Sequence, residues 1–292
     1  MAFFPRGLVW LASYPKSGNT WMRVLLANLT AGKAGPADIN NLSEPFTLLG
    51  RWRFADDLLV EPDLLDELEV ERLRPLQCDV AAEGLTMPFF CKTHDRFTGR
   101  AGHPLLGTRA RGALYLVRDP RDVAVSLHHH ASIPLDAAIA GMNDPDLCLR
   151  GRVQLASYVG DWAGHVSQWT DQSLIRTKVV RYEDLRAETA GTLESIVDFL
   201  GGRATGAEIL RAVGHSSLDE LQRQEADRGF RESVPGQDRF FPLRPGGGMA
   251  GRADGCAGAR RGGSVRAGHG AVRLSSGRLT AASSARMRSR RR

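Results

Sequence analysis

An uninterrupted apolar run, Gly7-Leu8-Val9-Trp10-Leu11-Ala12-Ser13, leads into Tyr14-Pro15-Lys16-Ser17-Gly18-Asn19-Thr20 and then directly into a helix-periodic stretch over residues 21–29. A short apolar run without alternation reads as a strand buried on both faces, the kind found in a parallel sheet covered by helices. The join between strand and helix is one tight turn carrying a lysine, two hydroxyls and a glycine. Such a turn aims free backbone N–H groups and the positive end of a helix at one point, and Lys16 adds a formal charge there. Ser17 and Thr20 supply further donors, so the point is built for an anion.

The common nucleotide-binding loop G-x-x-x-x-G-K-[S/T] places its lysine after the second glycine. In this chain Lys16 comes two positions before Gly18, and Trp21 follows the hydroxyl. The order Tyr-Pro-Lys-Ser-Gly-Asn-Thr-Trp resembles instead the phosphosulfate loop of the cytosolic-type sulfotransferases, Y-P-K-[S/A]-G-[T/N]-[T/S]-W. Those enzymes use 3′-phosphoadenosine 5′-phosphosulfate (PAPS). The resemblance implies that Lys16, Ser17, Gly18, Asn19 and Thr20 bind the 5′-phosphosulfate and that Trp21 stacks on the adenine.

Further segments carry the resemblance over roughly residues 7–220. Arg118-Asp119-Pro120-Arg121-Asp122 with Ser126 is similar to R-[N/D]-P-[K/R]-D-x-x-x-S, which implies that Arg118 and Ser126 hold the 3′-phosphate. An arginine at a strand end can fork onto two phosphate oxygens. Lys92-Thr93-His94 is similar to the family's K-T-H segment. His94 then takes the acceptor proton, while Lys92 and Lys16 neutralise charge on the leaving group. Asp95-Arg96 stands where many members have Leu-Pro. Tyr182-Glu183-Asp184-Leu185 is similar to Y-E-D-[L/M], with Tyr182 on the nucleotide side. Ser216-Ser217-Leu218 resembles T-S-F, which sets Ser216 and Leu218 near the adenine.

Strands are expected over residues 87–94, 112–120 and 175–182, in alternation with helices. Helices are expected over residues 62–76, from Arg121 to about His130, over residues 151–170 with Tyr158, Trp162, Val166 and Trp169 inward, and from Thr189 to Leu200. Residues 31–60 read as a long pocket-framing loop. The expected fold is α/β, a P-loop-like three-layer sandwich with a central parallel sheet flanked by helices. In such sheets ligands bind beyond the carboxyl ends of the strands, where these polar clusters fall. With 292 residues and 42% hydrophobic content, one full α/β core is affordable.

Several classes are set aside. No apolar run is long enough for a membrane span, and the six residues before the first strand leave no room for a signal peptide. A cytoplasmic protein is expected. Cys78, Cys91, Cys148 and Cys256 show no paired spacing, so neither a disulfide frame nor zinc is expected. Three adjacent histidines, His128-His129-His130, point in different directions on a helix and cannot converge on one ion. No metal is expected.

The net charge of +6 belongs to the chain's end. Removing the 12 arginines and one aspartate of residues 242–292 from 39 basic and 33 acidic residues leaves 27 against 32. A nucleic-acid partner is therefore not expected, and oligomeric state is open. The resemblance implies a sulfotransferase domain over residues 1–241, followed by an Arg/Gly/Ala-rich tail over residues 242–292. The family's F-x-R-K-G-x-x-G-D-W segment, whose Arg-Lys-Gly closes over the 3′-phosphate, is approached at residues 229–232 and 238–241. Pro242-Leu243-Arg244-Pro245-Gly246 then replaces it. The tail reads as disordered or as the product of a reading-frame change in a GC-rich gene of a bacterial member.

The resulting expectation is sulfuryl transfer from PAPS to a hydroxyl or amine of a small-molecule acceptor. Two alternatives stand beside it: a PAPS-binding relic that lacks the clamp, and a P-loop kinase.

Overall fold

A computed structural model describes residues 4–32, 35–42, 48–234, 239–241, 273–275 and 278–280. In chain order, the elements of the body are β1 (Gly7–Ser13), α1 (Asn19–Ala31), α2 (Arg51–Leu58), α3 (Glu67–Glu83), β2 (Pro88–Thr93), β3 (Gly112–Val117), α4 (Pro120–Ala131) and α5 (Leu135–Met142). There follow β4 (Cys148–Leu149), β5 (Ser157–Tyr158), α6 (Trp162–Asp171), β6 (Thr177–Arg181), α7 (Tyr182–Ala187), α8 (Thr189–Phe199), α9 (Gly206–His215) and α10 (Leu218–Arg228).

Four of the strands form one all-parallel sheet in the order β2-β1-β3-β6. Successive side chains of a strand face opposite ways, and the core divides accordingly. Leu8, Trp10, Ala113 and Tyr115 pack with residues of α3, α4 and α6, including Cys78, Val123 and Trp169. Val9, Leu11, Leu114 and Leu116 pack with α1, α8 and α9 through Leu25, Ile196 and Ile209. With both faces covered, the central strands have no need of polar residues, which is why they read as unbroken apolar runs. A third, smaller cluster joins Val24 and Ile39 to Leu221, Phe230 and Phe241. Among the described residues no helix is long and apolar enough to cross a membrane.

Two expected helices shift. The helix expected over residues 62–76 is a 3₁₀ turn, Pro62–Leu64, followed by α3. Asp66 accepts from Glu69 N and Glu69 accepts from Asp66 N, a reciprocal cap that starts α3 later than the acidic Asp63 suggests. The helix expected over residues 151–170 begins only at Trp162, where Asp161 caps it by accepting from Gly164 N. Tyr158 instead lies in β5, paired antiparallel with β4. Beyond Phe241, two three-residue strands, Arg273–Ser275 and Arg278–Thr280, pair antiparallel. The remainder of the tail, with Arg244 and Cys256, lies outside the described residues.

Candidate active site

Every strand of the parallel sheet ends at the same edge, and each carries a candidate residue over it. β1 runs into the lysine turn, β2 into His94, β3 into Arg118 and β6 into Tyr182.

The turn is shaped by backbone constraints. Lys16 has φ 68° and Gly18 has φ 99°, both left-handed. A side chain at Gly18 would also put its Cβ 2.6 Å from Tyr182 Cδ2, so the position requires glycine. Ser17 N donates to Tyr14 O at 3.3 Å. The Asn19 amide donates to Leu11 O at 2.7 Å and to Ser13 Oγ at 3.2 Å, tying the helix start to the strand. Gly18 caps α1 without any side-chain hydrogen bond, so the first-turn N–H groups have no side-chain partner. Ser17 Oγ and Asn19 Oδ1 are buried without a partner. These orphaned groups, a glycine cradle and a helix start left open suit a bound oxyanion.

The nucleotide-side residues meet around Tyr182. Its ring lies edge-on to Trp21 at 6.0 Å between centroids and beneath the Arg118 guanidinium at 4.5 Å. Arg118 Nη1 donates to Lys16 O at 3.3 Å, and its Nε is buried without a partner. Asp119 directs its carboxylate to Arg121 and to the start of α4. Ser126 is half-buried on α4, eight residues past Arg118. Trp21 Nε1 donates to Ser216 O at 2.9 Å. The Ser216 hydroxyl is buried and committed, donating to Ala212 O and accepting from the Asn28 amide. Its side chain therefore serves the α9–α10 junction, and its contact with the candidate site is through its carbonyl.

His94 extends from the end of β2. Its Nδ1 lies 2.8 Å from Ser13 O, and a carbonyl can only accept, so Nδ1 carries the proton and Nε2 is left as the basic nitrogen. Burial, then the charge of Lys92, pushes His94 down to about 3, against the hydrogen bond to Ser13. The ring is thus neutral near pH 7. Asp95 is the anchor next door: fully buried, it accepts from Arg74 at 2.8 and 3.2 Å, from Thr93 Oγ1 at 2.8 Å and from Tyr158 N at 2.7 Å. Its carbonyl accepts from Trp169 Nε1. The departure from Leu-Pro after His94 is therefore a buried ion pair that fixes the base of the site. The three histidines end α4: His128 Nδ1 meets Ile133 O at 2.5 Å, and His130 packs edge-on to Phe240. Among the described residues no cluster of His, Cys, Asp and Glu is arranged to hold a metal ion.

Residues that the sequence pattern did not single out complete the centre. The Glu232 carboxylate accepts from Arg23 Nη1 at 2.5 Å, Lys92 Nζ at 3.2 Å and Thr20 Oγ1 at 3.3 Å. Burial would raise its pKa, but Lys92 and Arg23 bring it down to about 2. Burial, with Lys92 and Arg118 nearby and Glu232 opposing, takes Lys16 down to about 8. The Lys16 ammonium also sits 4.1 Å from the Phe240 ring centroid. Arg23, the one charge on α1, was the available signal; Glu232 ends the segment 229–232, but its pattern did not pair it with a residue 209 positions away.

A cavity of about 690 Å³ opens beside His94, with Trp52, Phe89, Phe90, Leu149 and Leu155 among its walls. Leu49 to Trp52 lie within the expected pocket-framing loop, and residues 149–155 with Ser157 form a wall that the sequence pattern did not mark. A smaller cavity of about 300 Å³, beside Ser217 and Arg223, shares no residue with this centre.

Residues 7–233 match the family described as Sulfotransferase domain. The chain is 24% identical over 223 residues to luciferin sulfotransferase of Photinus pyralis, covering 74% of this chain and 57% of that protein. It is 28% identical over 218 residues to Sulfotransferase 2B1 of Mus musculus, covering 73% and 56%. The chain thus spans little more than half the length of these relatives. A solved structure of retinol dehydratase in a complex with retinol and PAP aligns at TM-score 0.49 and 23% identity, covering 80% of this chain and 73% of that one.

Proposed function

This chain belongs to the sulfotransferase domain family, and from that premise we propose that it moves a sulfuryl group from PAPS to a hydroxyl or amine of a small-molecule acceptor. The observation that carries the reading is the convergence of Thr20 and Lys92 on one carboxylate oxygen of Glu232 at the sheet edge, beside a histidine whose Nε2 is the basic nitrogen.

The lysine turn fits the phosphosulfate end of PAPS, because its N–H groups lack side-chain caps and its buried hydroxyl lacks a partner. Arg118 and Ser126 hold the 3′-phosphate, and Trp21, fixed by its bond to Ser216 O, gives the adenine an aromatic face. When bound, PAPS supplies an electrophilic sulfur with a phosphate leaving group. His94 Nε2 accepts the proton of the acceptor hydroxyl as that oxygen attacks. Ser13 O holds the Nδ1 proton in place, so the tautomer needed for this is already set. Lys92 and Lys16 stabilise negative charge as it develops on the leaving oxygen, and being partly buried they do so in a medium of low screening. The Arg74–Asp95 pair keeps the end of β2, and with it His94, in register with β1. The aromatic and aliphatic walls of the large cavity suit an acceptor with an apolar body.

The test is incubation with radiolabelled PAPS and a panel of phenols, alcohols and amines. Label transfer by the unmodified chain and none by His94→Ala is the expected result. Transfer from ATP in the presence of magnesium, with indifference to a 3′-phosphate, would replace this reading by a kinase.

A further inference from the structure

Thr20 and Lys92 belong to the centre assigned to the phosphosulfate, yet both donate to one oxygen of Glu232, while Arg23 holds the other. Thr20 and Arg23 are three residues apart and share a face of α1. Lys92 arrives from the neighbouring strand, and Glu232 from beyond α10. A carboxylate with its two oxygens shared among an arginine, a lysine and a hydroxyl has the charge and the donor set that a sulfonate or phosphate oxygen pair would use. The same stretch of chain also lays the Phe240 ring against the Lys16 ammonium. That ring is held by its own backbone: the N–H groups of Phe240 and Phe241 donate to Glu225 at 2.6 and 3.0 Å.

We propose that Glu232 is a built-in competitor for the oxyanion site, occupying the donors of Thr20 and Lys92 until the nucleotide displaces it, and so sets how tightly the chain binds PAPS. The inference rests on the sulfotransferase reading above. Its physical basis is donor sharing: a hydroxyl has one proton to give, and Thr20 cannot donate it both to Glu232 and to an incoming oxyanion. Like charge adds to this, since a carboxylate left in place would face the phosphosulfate at close range. Displacement is feasible because Phe230 is packed with Val24, Leu221 and Phe241, so the chain is anchored just ahead of Glu232 while Arg231 is exposed. The carboxylate gives up strong partners when it leaves, so a weakly charged ligand does not open the site, whereas a phosphosulfate or bisphosphate does.

The test is calorimetric titration of the full chain, unmodified and as Glu232→Gln and Glu232→Asp, with 3′,5′-bisphosphoadenosine at pH 7. Removing the competing charge should tighten binding about tenfold in Glu232→Gln, while Glu232→Asp stays near the unmodified value. Equal affinity in Glu232→Gln, or weaker binding, overturns the competitor and leaves the PAPS reading standing. No binding by any of the three overturns the PAPS reading and the competitor with it. Should Glu232→Gln fail to fold, a crystal structure of the unmodified chain with the bisphosphate decides. A Glu232 carboxylate out of hydrogen-bond reach of Thr20 and Lys92 supports displacement; one still bonded to both overturns it.

Discussion

The lysine turn and the large cavity beside His94 are built in opposite ways. The turn is made from consecutive residues, and its donors are mostly backbone groups locked by left-handed φ angles at Lys16 and Gly18. The cavity is assembled from five distant segments, around Arg23, Leu49, Phe89, Leu155 and Arg231, and its walls are mostly side chains. A backbone receptor has little freedom to change its ligand, since every donor is fixed by the fold. A side-chain cavity can change its ligand one residue at a time. On the proposed reading, the nucleotide half is set by the backbone and the acceptor half by replaceable side chains.

The contrast can be broken or sharpened by substitution. The largest effect belongs to the residue both halves share. His94→Ala should lower kcat by about 10³-fold, with bisphosphate affinity within a few-fold, read from single-turnover rates and calorimetry. On the cavity side, Arg74→Ala leaves Asp95 charged and buried without its partner and should cost about 3–5 kcal/mol of stability in urea unfolding. Gly18→Ala tests the turn. The left-handed angle and the clash with Tyr182 should cost about 1–3 kcal/mol, appearing mainly as lost bisphosphate affinity.

A smaller effect comes from pH. Lys16 loses its proton near pH 8 in the free chain, and an anionic ligand favours the charged form. Affinity should therefore be flat below that pH and fall by up to about tenfold per unit above it, with Lys16→Arg flattening the curve. Smallest of all, Trp52→Ala should raise the acceptor KM by about three- to tenfold and leave bisphosphate binding unchanged. An equal loss of both would mean that the two halves are not separable.

What the sequence made legible follows the same division. The parallel sheet could be read because burial on both faces makes its strands continuous apolar runs, as in Gly112–Val117. The turn could be read because its chemistry lies within eight consecutive residues. Tyr158 was misplaced onto a helix because its spacing from Trp162 is helical, although Asp161 caps the helix only after it. Asp95 looked like a local substitution, but its partner Arg74 sits 21 positions earlier. The Arg23–Glu232 contact depends on how the last helices return over α1, which no local pattern records. The cavity walls were only partly foreseen for the same reason: residues 149–157 reach His94 through the pairing of β4 with β5 and the Tyr158–Asp95 bond.

The aromatic trio Phe230, Phe240 and Phe241 closes the third core cluster against Val24 and Ile39. Among the described residues this is the last buried apolar layer, and it is complete one position before the sequence abandons its family's pattern at Pro242. The three rings thus give the start of α1 an apolar cover drawn from chain that lies beyond the last helix, so the anion-binding turn and the end of the described body share one packing layer.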